Sequence, residues 1–163
     1  MLILFCPLAK AQTDTSEIFL TISPYIVFPA INESHQFDPD FGFYVSGDKK
    51  IGDKITLGFN YFHWSVKGDN NPDVIGNFYG AVTNYWVKPI GAPFNFALIT
   101  TAGYSATKEG TSFNDDIGIN TGITAVIKVA KGVYLRPQAT IWKFGEAQQN
   151  TFTASLGCTF SLW

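Results

Sequence analysis

The sequence predicts an all-β protein, an eight-stranded antiparallel up-and-down β-barrel that crosses a membrane. Three observations carry this expectation. The stretch Thr151 to Trp163 alternates without a break: Phe152, Ala154, Leu156, Cys158, Phe160 and Leu162 lie between Thr151, Thr153, Ser155, Gly157, Thr159 and Ser161. Successive strand side chains point to opposite faces, so this segment has one apolar face and one small polar face. A tilted strand needs roughly 9–11 residues to cross a bilayer, and this one is long enough. Aromatic residues make up 16% of the chain and charged residues only 15%, against about 25% charged in ordinary globular domains. Finally, the chain lacks an apolar run of about 18 residues, the length that signals a transmembrane helix. A closed barrel is the remaining way to span hydrocarbon with every backbone group paired.

The other strands follow in order. The first is expected over about Glu17–Phe28, with Ile18, Leu20, Ile22, Ile26 and Phe28 on one face and Glu17, Thr21, Ser23 and Tyr25 on the other. The second, about Phe41–Lys49, sets Phe41, Phe43 and Val45 against Tyr44, Ser46 and Asp48. The third, about Lys54–Val66, sets Ile55, Leu57, Phe59 and Tyr61 against Thr56, Gly58 and Asn60. The fourth, about Val74–Lys88, is less regular. Phe78, Val82 and Trp86 read as its apolar face and Asn77, Tyr79, Thr83 and Tyr85 as its polar face, with Asn84 on the apolar side. The fifth, about Phe94–Ala106, sets Phe94, Phe96, Leu98, Ala102 and Tyr104 against Asn95, Thr101, Gly103 and Ser105. The sixth, about Asp116–Val129, sets Ile117, Ile119, Ile123, Ala125, Ile127 and Val129 against Gly118, Asn120, Gly122, Thr124 and Lys128. The seventh, about Val133–Phe144, sets Val133, Leu135, Ala139 and Ile141 against Tyr134, Arg136, Gln138 and Thr140. Pro24 and Pro137 lie inside strands and cannot donate a ladder hydrogen bond, so each predicts a bulge or a missing bond.

The connections alternate in length. Lys50–Asp53, Pro89–Pro93 and Ala130–Gly132 are short; Pro29–Asp40, Lys67–Asp73 and Thr107–Asp115 are longer, and Gly145–Asn150 lies between. Short periplasmic turns and longer extracellular loops are the pattern of outer-membrane barrels, and an even strand number places both termini on the periplasmic side. A soluble, lipocalin-like ligand-binding barrel has the same period with its apolar face inside. Against it stand the polar face rich in Gly, Ser, Thr and Asn, which suits a narrow filled lumen, and the absence of a lipocalin G-x-W motif. The last segment is a strand where a lipocalin carries a helix. Phe28, Trp86, Phe94, Tyr104, Tyr134, Trp142 and Trp163 lie near strand ends, as the aromatic girdles of a membrane barrel do.

In S-L-G-C-T-F-S-L-W, the residues Ser155, Gly157, Phe160 and Leu162 match the pattern polar-x-Gly-x-x-aromatic-x-hydrophobic, with Trp163 one residue beyond it. On this motif and the eight segments, Glu17 to Trp163 resembles the small OmpA/OmpX-type outer-membrane β-barrels. The resemblance implies that the motif is an assembly signal read by the barrel-assembly machinery, and that the protein sits among outer-membrane lipids of a Gram-negative type envelope. We expect a monomer without cofactor. The family includes adhesins, structural anchors and a few lipid-modifying enzymes, so membership does not fix function.

At the other end, Leu2 to Leu8 is a short apolar run, and Ala9-Lys10-Ala11 fits a small-x-small cleavage site. A basic region does not precede it, so residues 1–11 read as a truncated signal peptide, 12–16 as a short segment and 17–163 as the barrel. Cys6 falls in the removed part and Cys158 on an apolar face, which leaves no disulfide to expect. Phe5 is too bulky for lipoprotein processing at Cys6. A net charge of −2 argues against a nucleic-acid partner.

Two groups of residues could carry chemistry. His63-Trp64-Ser65 resembles the H-x-S pair of outer-membrane lipid A deacylases, for which Asp38, Asp40 or Asp73 could orient the histidine. The motif of those enzymes continues with Asn near the C-terminus; here Val66 follows in mid-chain. A His and a Trp at the bilayer interface is the plainer reading. His35, near Glu33 and Asp38, has no metal-site spacing. Acids gather in the expected outer loops, at Glu33, Asp38, Asp40, Asp69, Asp73, Glu109, Asp115, Asp116 and Glu146, balanced there by Lys67 and Lys108. Lys49, Lys50, Lys54, Lys88, Lys128, Lys131 and Arg136 lie toward the short-turn end. Acidic loops can bind divalent cations or a basic partner, although simple solvation also explains them.

The second group is the lumen. Arg136, Lys128, Asp48 and Glu17 share one end of the barrel and the inward parity. A guanidinium cannot shed its charge, and an unpaired ion in a narrow lumen is costly. Arg136 is therefore expected against Glu17 or Asp48, with Gln138 and Tyr44 filling nearby positions. Tyr25, Asn60, Asn77, Tyr79 and Asn120 complete the expected lumen filling. These residues favour a structural, anchoring or surface-binding barrel. The alternatives are a lipid-modifying enzyme using His63 and Ser65, a narrow pore for small solutes, and the soluble barrel.

Overall fold

The computed structural model describes residues 17–28, 37–68, 72–144 and 149–162. Eight long strands follow one another: β1 (Ile18–Phe28), β2 (Asp40–Gly52), β3 (Ile55–Gly68), β4 (Val74–Trp86), β5 (Phe94–Glu109), β6 (Ser112–Ala130), β7 (Val133–Phe144) and β8 (Gln149–Ser161). Each pairs antiparallel with the next, and β8 pairs with β1, so the sheet closes without an edge. Phe37–Asp38 adds a short ladder beside the end of β3. The signal-like residues 1–11, the 12–16 segment, Glu33, His35, Asp69, Glu146 and Trp163 lie outside the described residues.

The register fixes the barrel's dimensions. Partners lead from Ile18 through Lys49, Leu57, Thr83, Thr100, Thr121, Ile141 and Phe152 back to β1 at Phe28. The circuit returns ten residues up the first strand. With a rise of about 3.3 Å per residue and strands about 4.8 Å apart, this shear gives a tilt of about 40° and a backbone radius of about 8 Å. Such an interior is just wide enough for side chains to fill.

Parity decides what enters it. On β1 the odd residues Thr21, Ser23, Tyr25 and Val27 are buried, while Ile18, Ile22, Ile26 and Phe28 are exposed. The apolar face is therefore outside, the reverse of a soluble ligand-binding barrel. Proline interrupts the ladder without shifting it. Between β1 and β8 the pairing lapses from Ile22 to Tyr25, around Pro24, and between β6 and β7 it lapses around Pro137, with the register unchanged across both gaps. On its other side each proline pairs regularly, because only the missing N–H has to be accommodated.

Three expectations require correction. First, β4 is inverted: Phe78, Val82, Asn84 and Trp86 are buried in the lumen, whereas Tyr79 and Tyr85 are exposed and Asn77 lies on the outer face. Asn84 must point inward to meet charged partners there, and its parity carries the apolar residues with it. Gly76 shares that inner face because Trp64 lies against it; a Cβ at this position would sit 2.1 Å from the indole. Second, Trp86, Tyr134 and Trp142 belong to the lumen and not to an outer girdle, and so does Trp64. Third, the stretch 107–115 is not a long loop. β5 runs to Glu109 and β6 starts at Ser112, joined by a two-residue turn with Gly110 at φ 55°.

Candidate functional site

The lumen is filled in tiers. At the short-turn end an apolar floor is formed by Trp86, Ala97, Val126 and Tyr134, with Ile90 packed against them. The β4–β5 connection carries Ile90 under the opening. Its backbone is tied by Ile90 N to Asp53 O (2.8 Å) and by Asn95, whose side chain bonds Lys88 N and O at 2.9 Å each.

Above the floor lies the charged tier. Arg136 is 1% exposed, and its guanidinium reaches four other strands. Nε donates to Thr124 Oγ1 (3.1 Å), Nη1 to Thr21 Oγ1 (3.0 Å) and Nη2 to Asn84 Oδ1 (2.7 Å). Nη1 stands 3.8 Å from Asp48 Oδ2. Asn84 closes the circuit, donating from Nδ2 to Asp48 Oδ2 and to Thr56 Oγ1 at 3.0 Å each. The guanidinium carbon also lies 5.8 Å from the centre of the Trp86 ring. A cavity of about 20 Å³ remains between the floor and Arg136, room for about one water.

The outer half is aromatic. Phe62 stacks on Trp142 at 4.7 Å, and Phe78 meets the same ring edge-on at 4.9 Å. Tyr25 packs against Phe62 at 5.3 Å and Tyr44 at 5.8 Å. The Gln138 amide donates to the Tyr25 hydroxyl, and Thr140 and Thr153 share a 2.6 Å hydrogen bond. Asn60 and Asn120 point inward and are buried.

The placement of the expected residues is uneven. Arg136 and Asp48 come together, with Asn84, Thr21, Thr56 and Thr124 as partners that sequence reasoning missed. Lys128 is exposed at the turn end, outside the tier. Glu17 is half-buried at the start of β1, where its carbonyl accepts from Lys50 N. Gln138 and Tyr44 belong to the aromatic tier. Asn77 and Tyr79 are not in the lumen at all.

His63 and Ser65 share the outward face of β3, and each is turned to a different partner. His63 Nδ1 is 2.9 Å from Asn77 Oδ1, which also accepts from Tyr61 OH at 2.7 Å. Ser65 Oγ donates to Asp40 Oδ2 at 2.6 Å and to Phe41 O at 3.2 Å. The acid thus holds the serine, and the histidine faces an amide; a nucleophile–base–acid relay would need the serine on the histidine. Asp38, Asp73, Glu109, Asp115 and Asp116 lie at the same outer end. Among the described residues, none of the His, Cys, Asp and Glu side chains form a group of three or more that could hold a metal ion.

In the closing strand Gly157 faces Ser23 across the seam, where a Cβ would lie 2.3 Å from the serine Oγ. Ser155 shares its inward face, and Phe160 and Leu162 point outward.

Known protein-family profiles do not match the chain, and neither do curated proteins. Solved structures do. Neisserial surface protein A aligns with a TM-score of 0.71 at 14% identity, covering 91% of this chain and 100% of that one. The outer membrane protein OprG of Pseudomonas aeruginosa aligns with a TM-score of 0.68 at 8% identity, covering 91% and 96%. The attachment invasion locus protein Ail of Yersinia pestis, in complex with the heparin analogue sucrose octasulfate, aligns at 0.65 and 10% identity, covering 91% and 100%. At such identities the chain shares with these proteins their fold, the small closed β-barrel of outer-membrane proteins.

Proposed function

We propose that the chain is an integral outer-membrane protein, closed to solutes, that anchors its outer connections at the cell surface as a structural or binding element. The exposed apolar wall supports the membrane reading. Phe59 is 79% exposed and Ile123 61%, and such a wall is stable only against hydrocarbon. The observation that carries the closed reading is Arg136, held from four other strands across a lumen with a backbone radius of about 8 Å. An aromatic tier above it and an apolar floor below it complete the occlusion. Within this reading residues 1–11 are an export signal and both termini are periplasmic. The motif Ser155, Gly157, Phe160, Leu162 and Trp163 addresses the barrel-assembly machinery. The acidic outer end meets divalent cations or a basic partner.

Two measurements test this reading against its rivals: conductance of the refolded protein across a planar bilayer, and mass analysis of lipid A from expressing cells. We expect no conductance steps and unaltered lipid A. Regular steps would make the protein a pore. Loss of an acyl chain, abolished by His63→Ala, would make it an enzyme.

A further inference from the structure

The lipid-facing wall is not uniform. With a tilt of about 40°, each residue along a strand rises about 2.5 Å along the axis, and each step along a cross-strand row about 3 Å. On this scale Tyr61, Tyr79, His63, Tyr104 and Asn77 stand about 16–24 Å above Ile18. At those heights the other strands present Ile26, Phe41, Ile119, Ile141 and Phe152, all exposed and apolar. Three adjacent strands, β3 to β5, therefore lose about the outer third of a belt that is roughly 25 Å tall in barrels of this type.

The polar groups in this sector are organised. Tyr61, Tyr79 and Tyr104 are direct cross-strand partners, and His63 is the partner of Asn77. The rings of Tyr61 and Tyr79 are 5.0 Å apart, and Asn77 Oδ1 gathers the Tyr61 hydroxyl and the His63 imidazole. Asp115 stands beside Tyr104, and Ser65 donates to Asp40. An amide and an imidazole on a lipid face are costly at hydrocarbon depth and tolerable where polar matter reaches them.

Charge decides which polar matter that is. Asp40, Asp73 and Asp115 stand at the top of the sector against Lys67 and Lys108, so the local field does not favour a bare phosphate. Tyrosine faces beside carboxylate and amide acceptors suit a sugar ring instead. Its C–H face lies on the rings and its hydroxyls donate to the acceptors. We propose that this β3–β5 notch seats the sugar headgroup of an outer-leaflet glycolipid, with its acyl chains running down the apolar wall at Phe59, Leu57 and Leu98. The inference rests on the outer-membrane reading.

The test uses the refolded chain in vesicles of phosphatidylethanolamine and phosphatidylglycerol with a minor fraction of an acylated phospho-disaccharide lipid, intact or dephosphorylated. Protein is transferred to mild detergent, and retained lipid is counted by native mass spectrometry. One glycolipid should be retained in either form in preference to phosphatidylethanolamine. The double change Asn77→Leu and Tyr79→Leu should lower retention about tenfold, equivalent to about 1.4 kcal/mol. Tyr79→Phe, which removes only a hydroxyl, should lower it less and covers the case in which the double variant does not fold. Equal retention by variants and wild type, or retention lost on dephosphorylation, overturns the proposal. Absence of the barrel's heat-sensitive gel mobility in wild-type vesicles instead strikes the membrane reading itself, and the proposal with it.

Discussion

Replacing Arg136 with methionine tests the charged tier most directly. The side chain keeps roughly its length and loses the guanidinium. Two neutral partners are insured: Thr21 retains Thr159 at 2.9 Å and Thr124 retains the Pro137 carbonyl at 3.1 Å, whereas Asn84 keeps the two acceptors of its Nδ2 but loses the Arg136 donor to its Oδ1. The cost therefore falls on Asn84 Oδ1, left without that donor, and on Asp48, which is 2% exposed and would lose its cationic neighbour while keeping one amide donor from Asn84. Breaking a buried pair on one side costs about 3–5 kcal/mol, because a desolvated charge is left behind. At about 2–4 °C per kcal/mol for a chain of this size, the midpoint should fall by about 6–20 °C. Adding Asp48→Asn removes the orphaned charge and preserves an acceptor for Asn84, so the double variant should recover more than half of the loss. Unfolding from vesicles, followed by tryptophan fluorescence and by heat-sensitive gel mobility, supplies all four corners of the cycle. A single variant as stable as the wild type, or a double variant less stable than the single, would refute the reasoning.

The strands were legible because a closed barrel with an apolar outer wall follows a simple rule, apolar outward and small or polar inward, with a period of two. The rule holds on every strand whose inner residues are small or polar. It failed on β4 because the inner face there passes through the aromatic tier. Phe78, Val82 and Trp86 are as apolar as any residue of the outer wall, and Tyr79 and Tyr85 look polar while facing outward. One residue signalled the error: Asn84, on the supposedly apolar side, whose amide bridges Asp48, Thr56 and Arg136. The hairpin at Gly110 was hidden for another reason. Asp115, Asp116 and Lys108 suggested a solvated loop, and nothing local distinguishes that from a strand pair extending beyond the apolar belt.

The site was legible only in part. Parity and height placed Arg136 and Asp48 together and left Glu17 as an equal candidate. Side-chain reach separates them, since Glu17 lies at the very mouth of the barrel. The hydroxyl partners Thr21, Thr56 and Thr124 were not legible, because threonine fills any narrow lumen and only the cross-barrel register shows which ones meet the guanidinium. Trp64, Trp86 and Trp142 read as interfacial residues because they lie near strand ends. In a barrel of this radius the same positions, shifted by one residue in parity, cap the lumen.

Further changes separate the remaining assignments. His63→Ala should leave folding yield and lipid A composition unaltered, since Asn77 keeps Tyr61; a changed lipid A profile in cells would contradict this. Gly157→Val places side-chain carbon where Ser23 Oγ and Ile22 O already lie, at 2.3 and 2.7 Å, so closure of β8 onto β1 should fail. A wild-type fraction of heat-sensitive barrel would show that the seam is looser than described. The inversion of β4 can be read with single cysteines in a background lacking both native ones, Cys6→Ala and Cys158→Ala. Phe78 is 0% exposed and Tyr79 55% exposed, so a membrane-soluble maleimide should label Tyr79→Cys rapidly and Phe78→Cys hardly at all. Losing the Phe78 ring from the aromatic tier costs up to about 3–5 kcal/mol, which could open the lumen and blur the contrast. Val82→Cys, on the same buried face and nearer the charged tier, removes far less and should be equally protected. Fast labelling at Phe78 and Val82 with protection at Tyr79 would restore the apolar-outward assignment of β4. It would also remove Asn84 from the lumen, and with it the bridge between Arg136 and Asp48.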